Sequence, residues 1–177
     1  MLSADILTNI AQVTAGTLGR FGFFLRQGQI EERARVRVRG LDIVAGSVRS
    51  PVNELSGGNQ QKVVIAKWLE ADPRVVLLND PTRGVDVGAK EEIYEIVRGL
   101  AAEKRIVLFT STELPEYVHL CDRVVIFYRG RVCGELRRGE ISTHVLLEAI
   151  NTGDVAAAAG NGQRAAASAR ITEEVGS

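Results

Sequence analysis

The chain has 177 residues, 45% of them hydrophobic, and carries 22 Lys+Arg against 22 Asp+Glu. That length and composition suit one moderate core or two small subdomains and exclude a wholly disordered chain. Zero net charge argues against a nucleic-acid or anionic-membrane partner, and nowhere is there the run of about 18 apolar residues that a membrane helix requires.

Ile6, Leu7, Ile10, Val13 and Leu18 recur at three- and four-residue spacing, which predicts an amphipathic helix over 3–20 with Ser3 as its cap. A connection over Phe21 to Gln29 follows. Ile30 to Leu41 fits a helix or a charged edge strand; acids at its start and arginines at its end favour the helix. The arginine run there has no interleaved aromatics and reads as a solvated face rather than a nucleic-acid patch. Gly57 to Glu70 reads as a helix ended by Asp72-Pro73, and Val75 to Leu78 as a strand buried in a parallel sheet. Next come a helix over Val87 to Glu103, a strand over Ile106 to Thr110, a short helix over Leu114 to Leu120 and a strand over Arg123 to Tyr128. This alternation predicts α/β layering. Arg129-Gly130 reads as a hairpin turn returning through Leu136, and Ser142 as the cap of a last helix ending near Ile150. Beyond Asn151 the alanine-rich stretch holds nothing large to bury, so residues 153–177 are expected to be disordered.

Cys121 and Cys133, placed at strand ends, form no metal-like or CxxC cluster and read as free thiols. His119 and His144 fall on helical stretches without a catalytic partner in sight and read as structural or surface histidines.

Leu55-Ser56-Gly57-Gly58 carries the chemistry. A serine cap and two glycines leave amide hydrogens exposed at the positive end of a helix, an arrangement that binds phosphate. Ser-Gly-Gly alone would be an ordinary capped helix. Here it continues as Asn59-Gln60-Gln61-Lys62, and the apolar run from Val75 leads into Asn79-Asp80-Pro81-Thr82-Arg83-Gly84-Val85-Asp86. Leu-Ser-Gly-Gly-Asn-Gln-Gln-Lys resembles the signature motif of ABC transporter ATPases. With Pro81 to Lys90 and Ser111-Thr112-Glu113-Leu114-Pro115-Glu116, the chain is similar, from about Leu2 to Thr152, to the second cassette of bacterial monosaccharide importers of the ribose, galactose and xylose kind.

The resemblance implies an α/β fold: a partial nucleotide-binding domain with part of the helical subdomain (1–53), the C-terminal part of the P-loop NTPase sheet (54–152) and a tail. No Gly-x-x-x-x-Gly-Lys-[Ser/Thr] occurs between Met1 and Ser177, so the loop that cradles ATP phosphates is absent from this stretch. Cofactors implied are ATP and Mg²⁺. Ser56, Gly57, Gly58 and Asn59 would meet the ATP of an opposing, P-loop-bearing cassette, and Asp86 would be the aspartate at the dimer seam as well as a helix cap.

Two positions depart from the family pattern. Asn79 stands where an aspartate supports Mg²⁺, and loses the charge that balances the ion. Asp80 stands where a catalytic glutamate belongs and is one methylene short; a misplacement of ~1 Å can cost on the order of 10² in rate. Thr112 occupies the place of the switch histidine. Implied partners are a second cassette, membrane permease subunits and, indirectly, a sugar-binding protein, with no nucleic acid, on the cytoplasmic face of a bacterial membrane. The expected role is an energy-coupling ATPase segment; the alternative is a non-catalytic remnant that at most pairs with an intact cassette. A soluble ABC ATPase of DNA repair or translation fits the neutral charge poorly. Strands left uncovered by the missing half predict poor solubility.

Overall fold

Asp5, rather than Ser3, starts the first helix. In the computed structural model, which describes residues 3–18 and 27–161, α1 spans Ile6–Leu18, and Asp5 Oδ1 accepts from Thr8 N at 2.7 Å. Ile6 N and Leu7 N donate to Ser50 O and Val48 O, so a neighbouring loop satisfies donors that a helix start leaves open. Residues 19–20 of the expected helix and most of the expected connection after it lie outside the described residues.

Two compact units divide the chain, residues 1–110 and 111–177. In the first, α1 is followed by α2 (Gln27–Gly40), α3 (Gly57–Leu69), β1 (Val75–Asn79), α4 (Val87–Ala102) and β2 (Ile106–Thr110). Ile6, Leu7 and Ile10 of α1, Ala34 of α2 and Val63 and Ala66 of α3 bury one cluster. The 53/54 boundary therefore runs through a shared core.

The arginine run on α2 is not merely solvated. Glu70, just beyond α3 and with a side chain only 3% exposed, pairs with Arg33 Nε at 2.5 Å and Arg37 Nε at 3.0 Å. Arg37 also donates to Leu69 O at 3.1 Å. Both α2 cations thus balance the buried Glu70 carboxylate, and Arg37 also serves the carbonyl end of α3, where the helix dipole favours positive charge.

β1 and β2 pair in parallel, Val75 opposite Ile106 through Asn79 opposite Thr110, and α4 makes the crossover between them. One face packs Val76, Leu78 and Val107 against Ile65 and Leu69 of α3 and Ile93 and Leu100 of α4. The other face is bare: Val75, Leu77, Ile106 and Leu108 are 44%, 74%, 60% and 53% exposed. The expectation that Val75 to Leu78 is buried throughout is corrected; side chains alternate across a strand, and among the described residues of this unit only one face of the sheet has a covering layer.

The second unit holds α5 (Leu114–Leu120), β3 (Arg123–Tyr128), β4 (Arg131–Arg137) and α6 (Thr143–Thr152). β3 and β4 form an antiparallel hairpin with an irregularity at Ile126/Phe127. Arg129 and Gly130 at its turn have φ of 48° and 77°, the left-handed pair that a tight two-residue hairpin needs. Ser142 caps α6 by accepting from Val145 N at 3.2 Å. Gly153 ends α6 at φ 75°, and a Cβ there would sit 2.6 Å from Tyr128 Cδ1.

The expected disorder beyond Asn151 does not extend through the described residues. Residues 155–161 are helical, and Val155 and Ala158 are buried with Val124, Ile126, Leu136 and Leu146. Small side chains suffice because the hairpin comes close: a Cβ at Gly134 would lie 3.1 Å from Val155 Cβ. Residues 162–177 lie outside the described residues. Cys121 caps the end of α5 and Cys133 lies within β4 rather than at a strand end; both are free thiols. Among the described residues no helix is long and apolar enough to cross a membrane.

Candidate functional site

The N-terminal end of α3 is built by three neighbouring side chains. Ser56 Oγ accepts from Asn59 N at 3.4 Å and from Asn59 Nδ2 at 2.9 Å. Asn59 Oδ1 accepts from Val44 N at 2.8 Å, so its amide ties the cap to the loop after α2. Gln60 Nε2 donates back to Leu55 O at 2.8 Å. The first backbone hydrogen bond of the helix runs from Gln60 N to Ser56 O. The N–H groups of Gly57 and Gly58 precede it and have no partner within the helix. Ser56 and Gly57 are exposed, which leaves that end open to an anion.

The two glycines have different reasons to be there. A Cβ at Gly58 would fall 2.4 Å from Ala89 Cβ, whereas one at Gly57 would meet only Gly84 O at 3.6 Å. Gly58 is thus a packing glycine, bringing α3 against the start of α4. Asp86 caps α4, Oδ1 accepting from Ala89 N at 2.9 Å. The signature turn and the Gly84 to Ala89 turn form one continuous surface, held from behind by Lys62. That lysine is 1% exposed and donates to Glu92 Oε2 at 2.8 Å and to Asp42 O.

Asn79 and Asp80 stand together at the end of β1. Thr110 Oγ1 donates to Asn79 Oδ1 at 2.6 Å, and Asp80 N donates to Thr110 O at 2.8 Å. Asp80 has φ 46°, a left-handed conformation that costs most residues energy and that aspartate tolerates better than most. Beyond it, Arg83 N to Asp80 O and Val85 N to Thr82 O form successive turns through Gly84 at φ 75°. They carry the chain to Asp86.

Thr112 lies in the second unit and is exposed. Tyr117 Oη fixes its loop by accepting from Ser111 N and donating to Ser111 O, both at 2.8 Å, while Glu113 N donates to Ser111 Oγ at 2.9 Å. His119 lies in the last turn of α5, and His144 faces Glu148 at 3.9 Å on α6. Burial pushes the Cys121 thiol up to about 11, with Asp122 adding to the effect.

The two implied cofactors fare differently. The open end of α3 fits a phosphate of ATP. Mg²⁺ fits poorly: the Asn79 oxygen carries no charge to balance the ion, and one of its lone pairs already accepts the Thr110 hydroxyl proton. Sequence reasoning missed Thr110, Lys62 and Ala89 as parts of the site. Lys62 and Ala89 lie within the quoted motif runs, where their packing roles do not show, and the signal for Thr110, a threonine ending β2 opposite an asparagine ending β1, needs the strand register to be read.

No family model matches the chain. It is 44% identical over 148 residues to the ribose import ATP-binding protein RbsA 2 of Rhizobium meliloti, covering 82% of this chain and 28% of that protein. It is 43% identical over 172 residues to the ribose import ATP-binding protein RbsA 2 of Rubrobacter xylanophilus, covering 97% of this chain and 31% of that protein. The chain spans less than a third of the length of these curated relatives. Among solved structures, the ATP-binding cassette MJ1267 of an ABC transporter superposes with a TM-score of 0.68 at 21% identity, over 82% of this chain and 60% of that one. A dimeric cassette, MJ0796 bound to ADP and Pi, gives 0.64 at 19% identity, over 78% and 58%. With the signature turn, the β1 end and the α/β layout in place, the chain belongs to the ATP-binding proteins of ABC transporters, as part of a cassette similar to those of ribose importers.

Proposed function

We propose that this chain is an energy-coupling segment of a monosaccharide import ATPase, supplying the signature end of α3 to an ATP site whose P-loop comes from another segment or cassette. The observation that carries this is the open α3 terminus: Ser56 as cap, and Gly57 and Gly58 N–H groups before the first intrahelical bond. Ser56, Gly57 and Gly58 would hold the terminal phosphate of ATP, whose anhydride supplies the energy for import. Asp86 and Thr112 would contribute at the seam and the switch position. Permease subunits and, through them, a sugar-binding protein would be the further partners, at the cytoplasmic face of a bacterial membrane.

The bare face of β1 and β2 supports a complement of this kind. Four large apolar side chains left exposed on one sheet face mark a surface made to be covered, and the chain matches only about 60% of the solved cassettes' length.

The Asn79 and Asp80 pair favours a second reading for catalysis: a chain that completes a partner's site but does not hydrolyse ATP on its own β1 end. Asp80 would be the impaired counterpart of the catalytic glutamate.

Retention of the chain on an immobilised P-loop-bearing ribose-import cassette, with and without a non-hydrolysable ATP analogue, tests the proposal. Nucleotide-dependent retention that Ser56→Arg abolishes, with an unchanged far-UV spectrum, is expected. Retention indifferent to nucleotide or to that substitution would refute it.

A further inference from the structure

We propose that Thr110 and Asn79 form a cross-strand latch that fixes the end of β1 without a metal ion, which makes Thr110 a positioning residue for Asn79 and Asp80. Asn79 and Thr110 are the last register pair of the parallel sheet, so their side chains emerge on the same face. The Thr110 hydroxyl holds the Asn79 side chain at 2.6 Å, and the Thr110 carbonyl holds the Asp80 N–H at 2.8 Å. One residue thus grips both members of the pair, and the second grip secures Asp80 in its left-handed conformation at φ 46°.

The chemistry of the latch opposes a cation. A carboxylate at position 79 could accept the same hydroxyl proton and keep a second anionic oxygen for Mg²⁺. A carboxamide whose oxygen accepts from Thr110 keeps one uncharged lone pair and an NH₂ group, a donor that suits an anionic oxygen rather than a metal ion. The β1 end is held internally, where the family's pattern uses a charge directed at the metal.

This inference rests on the proposed placement of Asn79 and Asp80 at a nucleotide site, but its test needs no nucleotide, so its failure would leave the α3 phosphate assignment standing. Amide hydrogen exchange on the full chain reads the latch. Removing the hydroxyl in Thr110→Val frees the Asn79 side chain and loosens the strand end on which Asp80 N–H is held, so exchange at Asp80 should speed by about 2- to 13-fold, the range set by losing one hydrogen bond, and Thr110→Ser should restore it. In parallel, the free-ion Mn²⁺ EPR signal should be undiminished by an equimolar amount of the wild-type chain. Exchange at Asp80 that is the same in wild type and Thr110→Val would overturn the latch. Uptake of one Mn²⁺ by the wild-type chain, lost in Asn79→Ala, would overturn its metal independence.

Discussion

Gly58→Ala is the sharpest probe of how the signature turn is built. The added methyl would lie 2.4 Å from Ala89 Cβ and 3.6 Å from Ala89 Cα, against the 3.5–4.0 Å at which carbons rest. The two helix starts would have to part by roughly 1 Å, and overpacking of this kind costs about 1–3 kcal/mol. Alanine's better helix propensity returns up to about 1 kcal/mol. Position 58 lies in the first turn, where helix propensity returns only a fraction of that, so the net expectation is a loss of about 0.5–3 kcal/mol, read by urea denaturation of the chain. Gly57→Ala, whose Cβ meets only ordinary contact, should leave the midpoint within about 0.5 kcal/mol of wild type. Ala89→Gly should rescue Gly58→Ala in a double-mutant cycle, because it removes the colliding methyl. If Gly58→Ala melts like wild type, or Ala89→Gly gives no rescue, the packing account of Gly58 is wrong.

Other substitutions test the remaining parts. Ser56→Ala removes the α3 cap and should cost about 0.5–2 kcal/mol in the same denaturation assay. Lys62→Ala deletes a buried stem together with its bonds to Glu92 and Asp42; a loss on the order of 2–4 kcal/mol is expected, below the full cost of a buried pair because Glu92 is itself exposed. Cys121, with its thiol raised to about 11 from 9.0, should alkylate at pH 8 roughly 10²-fold more slowly in the native chain than in urea, since only thiolate reacts. Raised in the folded state, this thiol favours the native chain up to its unfolded value; the benefit fades between about 9 and 11 as pH rises. Mass-resolved iodoacetamide labelling across pH measures it.

Much of this architecture was legible because its elements carry local signals. Apolar periodicity gave β2, α5 and β3, and Asp86 and Ser142 announced the helices they cap. What escaped depended on partners distant in sequence. The α2 arginines look solvated until Glu70, more than thirty positions on, is seen buried beneath them. The unbroken apolar run of β1 could not reveal that one of its faces lacked a cover. Asp5 displaced Ser3 as cap because the 48–50 loop takes up the next amides. The helix at 155–161 escaped because burial of alanine depends on how near the neighbouring backbone comes, and a one-dimensional pattern does not contain that distance. At the site, the motif located Ser56, Gly57, Gly58, Asn79 and Asp80, but Thr110's hold on the last two emerged only from the strand register.

The uncovered face of β1 and β2 also bears on how much of this chain a cell can keep. Leu77 and its neighbours would present an unaccompanied copy to chaperones and proteases as an unfinished product, and transiently open states are removed in proportion to their population. Covering that face would lower this population, so the chain's lifetime should follow the supply of its complement more closely than its own rate of synthesis. If the proposed P-loop-bearing partner covers that face, a pulse-chase with and without its co-expression would show turnover, rather than transcription, setting how much of this chain accumulates.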